Sequence, residues 1–331
     1  VGDTRLTATG YIASLDELAI GKGHIELSGP SSANLAAMLG AEVPIPDSDF
    51  TLMIGVDRSN EWLRLDPVAL RWGESDYDGT IAIRPGEIPT VNVDLHSDYV
   101  SLPFLLPNLQ ALEKEALTAS PDDEADTASL YQDLTSKEQQ EKFFSDQPLN
   151  LQWMNSVQAT FKYRLDEMGF GNNTSTSATL DLSIADGVLS SRQMSWNGTF
   201  SSGEAQLSAG TVKAGSAVAL YFDVERIPLL WLLGGEPDAD PLAYYRGDFT
   251  SSGQSVRELA KNLNGALVFK AGGGLMNNKG ADLILGDAFE EIFTRLNPYR
   301  KTDTHTRIDC HAGALTIVNG RVAAVPGLVV R

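Results

Sequence analysis

A single cysteine, Cys310, in 331 residues excludes an internal disulfide and leaves the redox compartment open. The roughly 20 consecutive apolar residues of a membrane-spanning helix are missing. Basic side chains are scarce: 25 Lys and Arg stand against 44 Asp and Glu, a formal net charge of −19. Such a surface has no basic patch to displace counterions from phosphates, which excludes nucleic acid as a partner. It also disfavours electrostatic docking on an anionic membrane. The four histidines are scattered, and neither a Gly-x-Ser-x-Gly elbow nor a His-Glu-x-x-His pair occurs. No base–nucleophile pair can be assembled from them, so we expect no enzyme, no catalytic residue, no cofactor and no metal site. A signal peptide is absent before Val1-Gly2-Asp3, and Leu328-Val329-Val330-Arg331 reads as the middle of a strand. The expectation is a soluble piece of a longer gene product.

What is present is alternation. Hydrophobic residues make up 42% of the chain, which rules out a disordered protein. Ile25 and Leu27, Leu63 and Leu65, Ile81 and Ile83, and Val91, Val93 and Leu95 are each separated by polar residues. After residue 149 the habit resumes in Phe161, Tyr163 and Leu165, in Leu180, Leu182 and Ile184, and in Ala205, Leu207 and Ala209. Leu220 and Phe222 close that run. Period two puts one apolar and one polar face on each strand. Five Asn-Gly or Asp-Gly pairs, beginning at 78, 186, 197, 264 and 319, are hairpin signals, so the sheet is expected to be largely antiparallel. Short helices are expected at Ser31–Leu39, started by Ser31 or Ser32, and at Arg226–Leu233.

The stretch from Gly253 to Val322 is the most explicit. Ser255-Val256-Arg257-Glu258 is a capping box in which the Ser hydroxyl takes the Glu258 N–H and the carboxylate reaches back to the Ser255 N–H. Val256, Leu259, Ala260 and Leu263 continue at helical spacing, with Gly265 placed to end the helix. Ala266 to Phe269 reads as a strand. A second helix from Ala281 to Leu296 is stopped by Pro298. A long strand, Thr304 to Ile317, then turns at Asn319-Gly320 into a return strand from Arg321.

From Glu113 to Glu141 nine acidic residues face two lysines, with few apolar ones between. This is read as a mobile acidic surface insertion, with a partner-docking helix as the alternative. The organisation expected is one continuous elongated domain made of 1–103, an insertion at 104–142, and a C-terminal β region with short helices at 143–331. Other features have plain readings. His305, Arg307, Asp309 and His311 share one strand face, but neighbours on such a face lie about 6.6 Å apart, too spread for a tight metal site. Arg246-Gly247-Asp248 reads as a hairpin turn and Gly272-Gly273-Gly274 as a turn. From alternation alone the apolar faces are those of an ordinary sandwich core.

Ser255-Val256-Arg257-Glu258-Leu259, Leu263 to Phe269, Asp309-Cys310 and Val318-Asn319-Gly320-Arg321-Val322 also resemble the C-terminal region of the AsmA family. So do Gly73 to Gly79, and Phe144 to Leu149 ahead of a Trp-containing strand. The resemblance is patchy but runs from about His24 to Val325, carried by order and spacing. It implies a mainly β fold: a strongly twisted, largely antiparallel sheet curled into an open groove or partial barrel, with short helices and one acidic insertion. It implies a periplasmic location, tethered to the inner membrane by an anchor outside this chain. The implied function is shielding phospholipid acyl chains for outer-membrane homeostasis. Envelope proteins are a second class of partner, in the alternative of a scaffold for outer-membrane assembly. The groove lining would be Ile81, Ile83, Val91, Val93, Leu95, Phe161, Tyr163, Leu165, Leu180, Leu182, Ile184, Leu220, Phe222, Leu267 and Phe269.

Overall fold

The computed structural model describes residues 4–14, 19–38, 47–59, 61–101, 146, 148–170, 173–174, 176–199, 201–212, 215–228, 242–277, 305–308 and 311–330. Among them the chain is mainly β. The strands are β1 (Arg5–Ser14), β2 (Ala19–Gly29), β3 (Phe50–Ser59), β4 (Trp62–Trp72), β5 (Ser75–Arg84), β6 (Thr90–Ser101) and β7 (Gln158–Phe170). They continue with β8 (Asn173–Thr174), β9 (Thr176–Ala185), β10 (Val188–Gly198), β11 (Ser202–Val212), β12 (Gly215–Pro228), β13 (Leu242–Gly253) and β14 (Asn264–Ala271). The last four are β15 (Gly274–Asn277), β16 (His305–Ile308), β17 (His311–Val318) and β18 (Arg321–Val330). Two short helices, α1 (Ser32–Met38) and α2 (Val256–Lys261), and a 3-10 turn at Gln152–Ser156 interrupt them.

Strand order in the main sheet follows the chain from β1 to β7, then β9 to β14, then β17 and β18, with β8 beside β7. The path has two ends, so the sheet is not closed into a barrel. Neighbours are antiparallel wherever the chain turns straight back; β6 and β7 run parallel, because 56 residues of chain separate Ser101 from Gln158. The strands β15 and β16 form a separate pair. The described residues pack as two compact units, one drawn from 1–109, 150–199 and 205–216 and the other from 110–149, 200–204 and 217–331.

Turn chemistry is used more sparingly than the sequence suggests. Asp186-Gly187 and Asn319-Gly320 do have positive φ at both positions (52° and 75°; 49° and 68°), the conformation of a tight hairpin turn. Asp78-Gly79 and Asn264-Gly265 lie within β5 and β14 instead, and Asn197-Gly198 ends β10. The β4–β5 reversal is made at Gly73, with φ of 57°. At Gly79 a side chain is excluded by close approach: a Cβ there would sit 2.0 Å from the Asp94 carbonyl oxygen. An Asx-Gly pair does not distinguish a reversal from a strand that needs a bare backbone.

The capping box at α2 forms with one change. Ser255 Oγ accepts from the Glu258 N–H at 3.2 Å, and the Glu258 carboxylate accepts from the Gln254 N–H at 2.6 Å, one residue before the expected donor. The helix ends at Lys261 with Asn262 as its cap, so Gly265 is not its terminator. At α1, Ser31 is the cap: its Oγ accepts from the Asn34 N–H at 3.2 Å. Arg226 to Pro228 continue β12 as strand, contrary to the expected helix, and Arg226 takes φ of 58° within it. The expected strand from 304 to 317 is divided: β16 ends at Ile308 and β17 begins at His311, in different sheets. The acidic insertion, the helix expected at 281–296 and most of 226–233 lie outside the described residues.

Candidate functional site: two apolar sheet faces

In the first unit, register decides which side chains share a face. Ile83, Val91, Ala159 and Ile184 are cross-strand partners, and so are Leu65, Ile81, Val93, Phe161 and Leu182. Leu95, Tyr163 and Leu180 form a third row. Eleven of the fifteen predicted lining residues are therefore brought onto one face by β5, β6, β7 and β9. The face extends to Leu52 and Ile54 on β3 and to Ile25 and Leu27 on β2.

It also extends the other way, to residues the periodicity missed. Leu189 pairs with Ile184, Met194 with Leu180, and Trp196 with Ala178. A bulge at Arg192, between Ser191 and Gln193, shifts the register so that odd residues face the apolar side before it and even residues after it. A fixed period of two cannot be read across such a bulge. The same device on β4 holds Pro67 between Leu65 and Val68, where it interrupts no ladder bond that the sheet needs.

The exposure of these side chains is the informative property. Of the fifteen, Leu165 is buried at 3% and Leu220 is exposed at 36%; the others lie between. A closed sandwich would bury the central side chains of its inner faces. The buried apolar residues of the first unit are few: Phe50, Val68, Val100, Met154, Leu165 and Ala205. At the Leu165 end the face becomes polar. Tyr163 Oη donates to Ser97 Oγ at 2.9 Å, Ser97 is fully buried, and Tyr77 stacks on Tyr163 with centroids 6.4 Å apart. Burial raises both phenols above their ordinary value.

The opposite face of the same strands is charged. Lys22 pairs with Asp57 at 3.4 Å, and Arg164 with Asp94 at 3.9 Å. His96 lies between Asp98, 3.8 Å from Nδ1, and Asp166, 3.2 Å from Nε2. These three are a possible cation cluster. The carboxylates approach different ring nitrogens, however, so they bracket the imidazole instead of converging with it on one point. No local pattern announces this cluster, since Asp166 joins only through the parallel β6–β7 pairing.

The second unit has an apolar face of different make. Leu267 and Leu315 are partners, as are Gly265 and Ile317. The Phe222 ring lies over Gly247, where a Cβ would meet it at 2.6 Å, and the Phe269 ring lies over Gly313 at 2.5 Å. Arg246-Gly247-Asp248 is thus mid-strand, not a turn; Arg246 is ion-paired with Asp223 on the other face. The expected row of His305, Arg307, Asp309 and His311 does not survive: His305 and Arg307 are in β16, His311 is in β17, and Asp309 lies outside the described residues.

At one end of this face α2 roofs a cavity of about 730 Å³. Val218, Leu220, Phe249, Leu259, Leu263 and Ile317 supply most of its apolar wall, and Arg257 and Lys261 are its charged lining. Leu220 is the one predicted lining residue among its walls. No long apolar helix able to cross a membrane is found among the described residues. No protein-family model, curated protein or solved structure matches the chain.

Proposed function

We propose that this chain is a non-catalytic lipid-binding segment of an AsmA-like periplasmic protein tethered to the inner membrane, shielding phospholipid acyl chains in transit. The observation that carries the reading is the apolar face of β2 to β10, whose side chains are mostly left partly exposed. An apolar surface of that extent left wet is costly, and soluble monomers rarely keep one without a partner. An acyl chain gains about 0.8 kcal/mol for each methylene it buries, so ten contribute roughly 8 kcal/mol before the losses of association. Affinity of this origin needs no charge-specific residue, and the polar groups of the lipid can stay in water.

The test is photo-crosslinking of a diacyl phospholipid probe from position 182, with native mass spectrometry of the purified protein. The reading expects labelling at 182 and co-purified lipid. Absence of both, from a protein that is folded, would end it.

A further inference from the structure

The cavity beneath α2 has a chemistry that the sheet faces lack, and we infer that it binds one long-chain fatty acid, tail inward, with its carboxylate on Lys261. This rests on the reading that the apolar faces of the chain accept acyl chains, and it assigns a ligand class to one place, the open-sided pocket beneath α2. Three observations carry it. The volume, about 730 Å³, lies within the roughly 300–1,000 Å³ of sites that enclose a small molecule. The walls are mostly aliphatic and aromatic side chains of β12, β13, β17, β18 and α2, with Thr250 and Ser251 the uncharged polar residues among them. Both charged lining residues are cationic, in a chain whose net charge is −19.

The two cations are not equivalent. Arg257 Nε is 2.7 Å from Asp146 Oδ1 and is already neutralised. Lys261, exposed in the last turn of α2, has no ion pair among the described residues. One available ammonium matches one carboxylate. The carbonyls at that end of the helix do not oppose an anion strongly, because they are already accepting. Leu259 O takes the Ser251 hydroxyl at 2.6 Å, Glu258 O the Asn262 N–H at 2.9 Å, and Leu263 O the Gly320 N–H at 2.9 Å. The repulsion of the distant acidic groups is screened within about 8 Å at physiological salt.

Palmitate and its uncharged analogue hexadecanol, titrated into the full chain, separate the parts of the claim. At least one palmitate per chain is expected to bind. Lys261→Glu should weaken palmitate about tenfold or more while leaving hexadecanol unchanged, a difference of about 1.4 kcal/mol. Ala260→Phe, which fills the cavity from the helix side, should weaken both; its fold is checked by circular dichroism. Equal palmitate affinity in parent and Lys261→Glu overturns the carboxylate contact, and undiminished binding in a folded Ala260→Phe overturns the site. Leu182→Asp serves as the control in the first unit. Palmitate binding lost in Leu182→Asp but kept in Ala260→Phe places the ligand on the other face and overturns the inference. Labelling of position 182 by the phospholipid probe with no palmitate bound overturns it too, while the reading of the first unit stands.

Discussion

The two apolar faces solve the same problem in different ways. In the first unit the face is built from repeated aliphatic rows, and side chains such as Ile81, Val93 and Leu182 are left partly exposed by their neighbours. In the second unit, phenylalanine rings lie against glycines of the next strand, Phe222 on Gly247 and Phe269 on Gly313, and α2 roofs one end. A ring over a glycine covers apolar backbone with a side chain already in the sheet, so less surface is left for an outside molecule. The aliphatic face leaves its surface to be covered by something else. On the function proposed above, the first unit would take an acyl chain along an open face and the second would take one beneath a helix.

The comparison breaks most readily at the covered end of the first face. Leu165 is buried, and Leu182, two rows along the same face, is partly exposed. Leu165→Asp should cost about 4 kcal/mol or unfold the protein, because a carboxylate there has no water to reach. Leu182→Asp should cost about 1–2 kcal/mol and leave the fold intact. Urea midpoints of the two variants measure this directly. Equal losses would mean that the face is a closed core.

Glycine substitutions sharpen the second half of the comparison. Gly79→Val drives a side chain into the Asp94 carbonyl, a backbone atom that cannot rotate away, and should cost about 3 kcal/mol. Gly313→Ala meets the edge of the Phe269 ring, which can tilt, and should cost about 1–2 kcal/mol. If Gly313→Ala proves the worse of the two in thermal melts, the rings are held more rigidly than their place on an open face allows. Ser255→Ala, which removes the cap of α2, should cost about 1 kcal/mol, read from the same melts.

Fold class was legible because alternation and turn signals are local. The rows of Ile81, Val93, Phe161 and Leu182 follow once strands pair in order, and β5, β6, β7 and β9 do. Residues beyond a bulge were not legible: Met194 and Trp196 change parity at Arg192, and nothing in the sequence announces the extra residue. The break between β16 and β17 was hidden for the related reason that alternation persists across it. The cavity under α2 was half visible. The apolar stripe of the helix could be read from its spacing, but β17, which it meets at Ile317, comes 56 residues after Lys261. The His96 cluster depends on the parallel pairing of β6 with β7, which no local pattern encodes.

The smallest effect concerns the polar end of the first face. Tyr163 Oη donates to Ser97, which is fully buried, so Tyr163→Phe leaves that hydroxyl without its donor and should cost about 1 kcal/mol at neutral pH. The same phenol also sets a dependence on alkali. Burial raises Tyr163 and Tyr77 above the ordinary value in the folded protein, while in the unfolded chain both ionise near pH 10. Below that pH both states hold the proton and the contribution is fully present. As pH rises, the unfolded chain ionises first, and stability falls through the raised folded values. Parent stability should therefore drop between about pH 9 and 11, and Tyr163→Phe, with one phenol fewer, should drop less. The check is denaturant unfolding of both proteins across that range. An identical drop in the two would show that Tyr163 meets water as freely as the aliphatic rows beside it, and the polar end would then be no different from the rest of the face.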